Sequence, residues 1–290
     1  MLNRNVYTFL GCEAEYADAD IVVFGAPFDS TTSNRPGARF ASAAMRQESY
    51  GLETYSPYQD ADMADYSVFD GGDLELCFGD ARLALDSIEE FAAGVLEDCK
   101  LPLMIGGEHL VTLGAVRAAV KRYPELCVVH FDAHADLRDE YLGTKLSHAA
   151  VLRRVWELTG DGRIHQFGIR SGDRSEFEWG KQHVFTQKFT LDGIESTARA
   201  LEGKPVYLTI DLDVLDSSAF PGTGTPEAGG MTFVQLIDAV FKLRGLNIVA
   251  ADINELCPML DNSGVSTATA CKVLRETLLM LLQSREEKRG

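Results

Sequence analysis

Acidic and imidazole side chains gather in three short segments of this 290-residue chain, each placed just after an apolar run. In HFDAHADLRDE, Asp132, His134 and Asp136 occupy alternate positions. Successive side chains of an extended chain point to opposite faces, so this spacing turns all three the same way. VYLTIDLDVLD repeats the device with Asp211 and Asp213, and LMIGGEH adds His109 after two glycines, at the start of a helical pattern. Taken singly, each segment has a plainer explanation. DxHxD also arises as polar alternation on an exposed strand, DxD as a turn or helix cap, and a lone histidine as a structural one. His130 shares the parity of Asp132 but lies within the apolar run, and reads as a core residue.

Together, His109, Asp132, His134, Asp136, Asp211 and Asp213 hold too many acids to be buried without cations. Four carboxylates are balanced by two divalent ions. Oxygen-rich ligation with some imidazole and no thiolate suits Mn²⁺ better than structural zinc, with Fe, Co and Zn as alternatives. Ions roughly 3.5–4 Å apart would hold a water between them and acidify it, making hydroxide available near neutral pH. The chemistry this predicts is hydrolytic.

Such a constellation needs elements that bring distant segments to one place. Apolar runs at 21–25, 101–105, 126–131, 164–169, 206–210 and 248–253 are nearly continuous, as strands covered on both faces should be. Between them, 80–100 sets Ala84, Leu85, Ile88, Phe91, Ala92, Val95 and Leu96 at steps of three and four, on one helical face. Similar patterns run through 110–123, 232–244 and 265–282. Strand and helix in alternation predict a parallel sheet with helices on both faces. No linker or internal repeat divides the chain, so one domain is expected over 1–290. In such folds ligands bind beyond the carboxyl ends of the strands, which is where all three segments fall.

Composition narrows the partners. With 46% hydrophobic and 24% charged residues, the chain is neither disordered nor fibrous. Lys and Arg number 27 against 44 Asp and Glu, for a net charge of −17. That excess argues against nucleic acid and anionic membrane and favours a small cation as ligand. No apolar run reaches the roughly 18–20 residues of a membrane span, and the N-terminal segment is too acidic for a transit peptide and lacks the pattern of a signal. Six cysteines are scattered without a CxxC pair, so a reducing, cytoplasmic location is expected.

The ordered motifs GGEH at 106–109, DAHAD at 132–136, SH at 147–148, DLDVLDSSAFPGTGTPEAGG at 211–230 and DINELCP at 252–258 resemble the ureohydrolase (arginase–agmatinase) family. SNRPGAR at 33–39 and the C-terminal helix extend the likeness almost end to end. The resemblance implies a three-layer α/β/α sandwich around a mostly parallel, about eight-stranded sheet, assembled as homotrimers or homohexamers. It also implies two Mn²⁺ and hydroxide attack on a guanidinium carbon to release urea. By position, His109, Asp132, Asp136 and Asp211 would serve one metal. Asp132, His134, Asp211 and Asp213 would serve the other, with Asp132 and Asp211 bridging. His148 matches the family's proton-shuttle histidine, Glu255 the carboxylate that holds the guanidinium, and Thr225 a hydroxyl near that carboxylate.

Arginases surround the amino-acid end of their substrate with small polar residues in the loop after the second metal motif. Here that loop reads LRDEYLGTKLSH, with Arg138, Tyr141 and Lys145, so a decarboxylated substrate is expected and agmatine, yielding putrescine and urea, is the choice. Arg138 and Lys145 receiving a carboxylate would instead mark 4-guanidinobutanoate or another guanidino acid. A non-catalytic binder would have lost a ligand or the shuttle, and a single-zinc amide hydrolase of this fold would carry fewer aspartates. After RPGAR the family commonly has a Gly-Pro pair. This chain has Ala41 and Ser42, and Ser42 is expected to cap the next helix.

Overall fold

The runs that alternate with amphipathic helices need cover on both faces, and a central parallel sheet provides it. A computed structural model describes the backbone of residues 2–3 and residues 7–288 in full. Residues 1, 4–6 and 289–290, part of the N-terminal segment and the two ends of the expected domain, lie outside the described residues. The strands of this sheet are β1 (Leu2–Asn3), β2 (Ile21–Gly25), β3 (Val68–Leu74), β4 (Leu101–Ile105), β5 (Cys127–Phe131), β6 (Ile164–Ile169), β7 (Phe185–Lys188), β8 (Pro205–Asp211) and β9 (Asn247–Asn254), and a separate antiparallel pair joins Tyr55–Ser56 to Ala61–Asp62. They lie in the order β1-β3-β2-β4-β9-β8-β5-β6-β7. Every neighbouring pair is parallel except β1 with β3.

The helices are α1 (Ala41–Ser49), α2 (Ala81–Glu97), α3 (Thr112–Arg122), α4 (Val151–Thr159), α5 (Arg174–His183), α6 (Ile194–Ala200), α7 (Phe233–Phe241) and α8 (Val265–Glu287). Side chains of α2, α3 and α4 pack on one face of the sheet. Those of α1, α6, α7 and α8 pack on the other, which makes three layers. Of the face expected on α2, Ala84, Leu85, Ile88, Ala92, Val95 and Leu96 are buried and Phe91 is half-buried. Asp80 starts that helix by accepting the amides of Arg82 and Leu83, and Thr232 with Gln235 forms a capping box on α7.

All six expected strands form, β1 and β7 are added unexpected at the two edges of the sheet, and β3 appears inside it where none was expected. Its sequence, VFDGGDL, is not continuously apolar. Asp70 is buried and Asp73 half-buried, and both face the fully buried Arg46 of α1, which pairs with Asp70 at 2.7 Å and with Asp73 at 2.5 Å. The other correction concerns Ser42. It does not cap α1. A 3₁₀ turn at Ala38–Phe40 runs directly into the helix, Ser42 lies buried in the first turn, and its Oγ has no hydrogen-bond partner. Asp29 steadies this entrance instead, accepting the amides of Gly37 at 2.8 Å and Arg39 at 3.3 Å.

Site placement follows from the strand order. The chain leaves β4, skips two places to form β5, and fills the gap later with β8 and β9. The four central strands β4, β9, β8 and β5 therefore end side by side, with Ile253 paired to Ile105 and Ile210 to Phe131. Such a reversal opens a crevice at the carboxyl edge. Gly107, just past β4, lies so close to 28 that a Cβ would stand 1.9 Å from the Phe28 carbonyl oxygen. Gly107→Ala is therefore expected to cost about 2 kcal/mol or more through forced displacement of backbone, read as a lowered urea midpoint. An unchanged midpoint would contradict this packing.

Candidate metal centre and its cavity

The four central strand ends deliver acids and imidazoles to one buried point. After β4 the chain turns through 106–108 into a 3₁₀ turn that carries His109. Its ring is almost wholly buried, and Nδ1 lies 3.1 Å from Asp132 Oδ2, 3.1 Å from Asp136 Oδ2 and 3.4 Å from Asp211 Oδ2. Nδ1 is hydrogen-bonded to none of them, aimed between oxygens that belong to three carboxylates. The opposite nitrogen, Nε2, meets Thr209 Oγ1 at 2.9 Å, which fixes the ring. His134 stands beside this group, with Nδ1 2.9 Å from Asp213 Oδ2 and 3.5 Å from Asp132 Oδ1. Asp132 thus faces both imidazoles.

Backbone amides hold the carboxylates in place. Asp213 Oδ1 accepts from the amide of Ala133 at 3.1 Å, and Asp211 Oδ1 accepts from that of Asp213 at 2.9 Å. Asp136 adopts φ 54°, a left-handed conformation costly for a residue with a side chain, which turns its carboxylate back toward His109. Burial pushes the Asp211 carboxyl well above the ordinary range, and Asp213, Asp132 and Glu255 add repulsion. Burial and Asp132 push Asp136 up to about 7. Among the described residues no Lys or Arg pairs with any of the four aspartates. A buried nitrogen without a partner, facing acids without a cation, is a donor set that fits divalent metal. Among the described residues two overlapping groups of such donors lie close enough to share an ion, one of His109, His130 and Asp132 and one of Asp132, His134 and Asp213.

Sequence reasoning took His130 for a core residue. It is fully buried, but it does more than fill space. Its Nε2 lies 2.8 Å from Asp132 Oδ2, and its Nδ1 lies 3.1 Å from Gln166 Nε2. The Gln166 amide is oriented in turn, donating to the Ala135 carbonyl at 2.7 Å and accepting from Thr186 Oγ1 at 3.1 Å. An amide N–H facing Nδ1 leaves the His130 proton on Nε2, where it is donated to Asp132. The shared parity of His130 and Asp132 was the signal; Gln166 and Thr209, remote in sequence, gave none.

Glu255 follows β9 with φ 67° and is almost fully buried. One of its oxygens accepts the His109 amide at 2.7 Å, which locks this carboxylate to the metal-facing turn. Burial, then Glu108, drives its carboxyl well upward. Thr225 Oγ1 stands 3.5 Å from Asp213 Oδ2, so the acid it meets is Asp213. His148 opens a 3₁₀ turn that leads into α4, and its Nε2 lies 3.0 Å from Ser33 Oγ. Burial, reinforced by His134 and His109, lowers its imidazole to about 4 and keeps it neutral.

A cavity of about 260 Å³ opens over this centre, with His134, Asp136, His148 and Thr225 in its wall and Arg138, Tyr141, Asp173 and Glu176 farther out. The two basic groups of this loop are engaged. Arg138 Nη1 pairs with Asp173 at 2.6 Å, its Nε lies 3.5 Å from Glu176, and its guanidinium stacks 4.5 Å from the Tyr141 ring. Lys145, outside the cavity, lies 3.7 Å from Asp139. Glu227 approaches from the other side, accepting from Ser171 Oγ at 2.9 Å.

Known proteins share this arrangement's frame. The model of the Arginase family matches residues 19–280. Agmatinase of Bacillus subtilis is 44% identical over 275 residues, covering 93% of this chain and 95% of that protein. N(1)-aminopropylagmatine ureohydrolase of Thermococcus kodakarensis is 39% identical over 268 residues, 88% of each. Among solved structures, the agmatine ureohydrolase of Thermoplasma volcanium superposes with a TM-score of 0.89 at 33% identity, covering 99% of this chain and 98% of that one. With fold, motif order and overall likeness in agreement, the chain belongs to the arginase family of ureohydrolases.

Proposed function

We propose that this protein is a binuclear manganese hydrolase of a guanidino compound, with agmatine as substrate and putrescine and urea as products. The observation that carries this reading is the convergence of carboxylate oxygens on the unpartnered Nδ1 of His109, with His134 facing the same Asp132. His109, Asp132, Asp136 and Asp211 are assigned to one ion, and Asp132, His134, Asp211 and Asp213 to the other. Ions bound there would supply the Lewis acidity that makes a water nucleophilic near neutral pH, and an oxygen-rich set suits Mn²⁺.

The remaining chemistry belongs to side chains of the chain. The four aspartates and Glu255 carry five negative charges against the four positive ones of two divalent ions, so a guanidinium cation neutralises the site and an anion does not. Glu255 keeps one oxygen on the His109 amide and is assigned to hold the planar guanidinium with the other. His148 stands neutral in the cavity wall and is assigned to take a proton at Nε2 and pass it to the leaving amine. Thr225 is assigned a supporting contact at the same wall. We further propose a cytoplasmic enzyme acting as one domain over 1–290 and assembling as a homotrimer or homohexamer. No helix among the described residues is long and apolar enough to cross a membrane.

Agmatine is favoured over a guanidino acid by the rim. Arg138 and Lys145, the two cations that would receive a carboxylate, are already paired with acids, and Glu227, 4.0 Å from His134 Nε2, adds negative charge beside the centre. Urea release is expected from agmatine with a kcat/KM at least about a hundredfold above that for L-arginine or 4-guanidinobutanoate, since an ionic mismatch leaves buried charge unpaired. N1-aminopropylagmatine belongs in the same panel. A preference for either acid would defeat the agmatine assignment, and no urea from any of the four with Mn²⁺ supplied would defeat the hydrolase.

Metal analysis of the purified protein is expected to return about two divalent ions per chain. Asp132→Ala should abolish turnover and lower metal content, whereas His148→Ala should cut kcat by about 10²–10⁴-fold with the metals retained. Equal metal loss in both variants would mean His148 has been given the wrong role. His130→Ala removes the hydrogen bond that orients Asp132 and should weaken metal affinity by about 10–100-fold, measured by calorimetric titration.

A further inference from the structure

Glu108, the residue before His109, is a wholly buried carboxylate, and among the described residues no Lys, Arg or His pairs with it. Burying such a charge costs several kcal/mol unless hydrogen bonds answer it. The answering donors all come from one loop, at Thr31 and Thr32. Glu108 accepts from the Thr31 amide at 2.9 Å, from the Thr31 hydroxyl, and from the Thr32 hydroxyl at 3.1 Å. Thr31 Oγ1, while donating to Glu108, also accepts the backbone amide of His148 at 3.1 Å. Two residues on, Ser33 Oγ meets the His148 ring at 3.0 Å.

We propose that Glu108 and Thr31 are positioning residues for His148, tying the turn that bears the first metal ligand to the turn that bears the proton carrier. The inference rests on the assignment of His148 made above. The bond order has a physical logic. A hydroxyl that donates to a carboxyl oxygen becomes a better acceptor at its own oxygen, so the bond from Thr31 to Glu108 strengthens the hold on the His148 amide one bond away. A hydrophobic residue at 108 would pack without desolvation cost but would release the loop. The 3₁₀ turns at His109–Val111 and His148–Ala150 also pack directly on one another, so a shift in either is felt by both.

The test is a set of Thr31 and Glu108 variants in the Mn-loaded full chain. Thr31→Val keeps the shape and removes the hydroxyl. It is expected to lower kcat by about 10–100-fold, the scale of a misplaced catalytic group, with KM and metal content unchanged. Thr31→Ser should recover most of that turnover. Amide hydrogen exchange gives a readout independent of activity: the His148 amide should exchange roughly tenfold faster in Thr31→Val and at the parent rate in Thr31→Ser. In a His148→Ala background, Thr31→Val should cost almost nothing further, because its effect acts through the missing ring. Should Thr31→Val fail to fold, Glu108→Gln is measured in the same way and is expected to show the same faster exchange and lower kcat. Unchanged exchange at His148, or a kcat loss that persists in the His148→Ala background, would overturn the proposal. Full turnover by His148→Ala alone would instead remove the proton-carrier assignment, while faster exchange in Thr31→Val would still show the tether.

Discussion

Buried carboxylates at the ends of neighbouring strands repel one another, and holding them together is the constraint around which this site is built. Two like charges 4 Å apart oppose each other by about 4 kcal/mol even at an effective dielectric of 20. Here Asp132, Asp136 and Asp211 all present an oxygen within 3.4 Å of a single histidine nitrogen. The sheet imposes that approach. β4, β9, β8 and β5 are adjacent and parallel, and their hydrogen-bond register leaves the carboxyl ends no freedom to spread. The resulting demand for positive charge is met by no Lys or Arg side chain among the described residues, only by the imidazoles of His109, His130 and His134.

Local strain follows from the same demand. Asp136 and Glu255 both occupy left-handed backbone, an arrangement that a residue with a side chain adopts only where its surroundings hold it there. In each case the unusual φ turns a carboxylate back toward the turn at His109. That turn acts as a hub. Its Gly107 carbonyl accepts the Glu255 amide at 2.9 Å, the Glu108 amide donates to Phe28 at 2.8 Å, and the His109 amide donates to Glu255. Close packing at Gly107 admits no side chain, so the glycine at that point of GGEH has a steric cause.

The outer cavity separates metal chemistry from substrate choice. Relatives of known name act on guanidines with different tails, and the inner donors are set by the strand ends, whereas the rim is built from loops that vary without disturbing the sheet. In this chain the rim loop ends in a tight turn in which Tyr141 and Thr144 exchange backbone hydrogen bonds, with Leu142 and Gly143 both at positive φ. Tyr141 stacks on Arg138, and Arg138 is clamped by acids from the loop after β6 and from α5. Its charge is therefore spent within the protein, which decides what the rim offers a ligand more than the presence of an arginine does.

The amino-acid sequence alone determined the alternation of strand and helix, the acidic character and the six candidate ligands, because apolar period and DxHxD spacing are local properties of a chain. It did not disclose β3, where the buried Asp70 is answered by Arg46 arriving from α1. Nor did it place the helix start near Ser42, since Asp29 and the preceding 3₁₀ turn fix that entrance. The tertiary structure alone decided that His130 spends its proton on Asp132, that Arg138 is already neutralised, and that Glu108 reaches Thr31 at a distance of 77 residues along the chain. Each of these turns on partners brought together by strand order. Hydrogen bonds and ion pairs act over a few ångströms in space, and no spacing within one segment can report them.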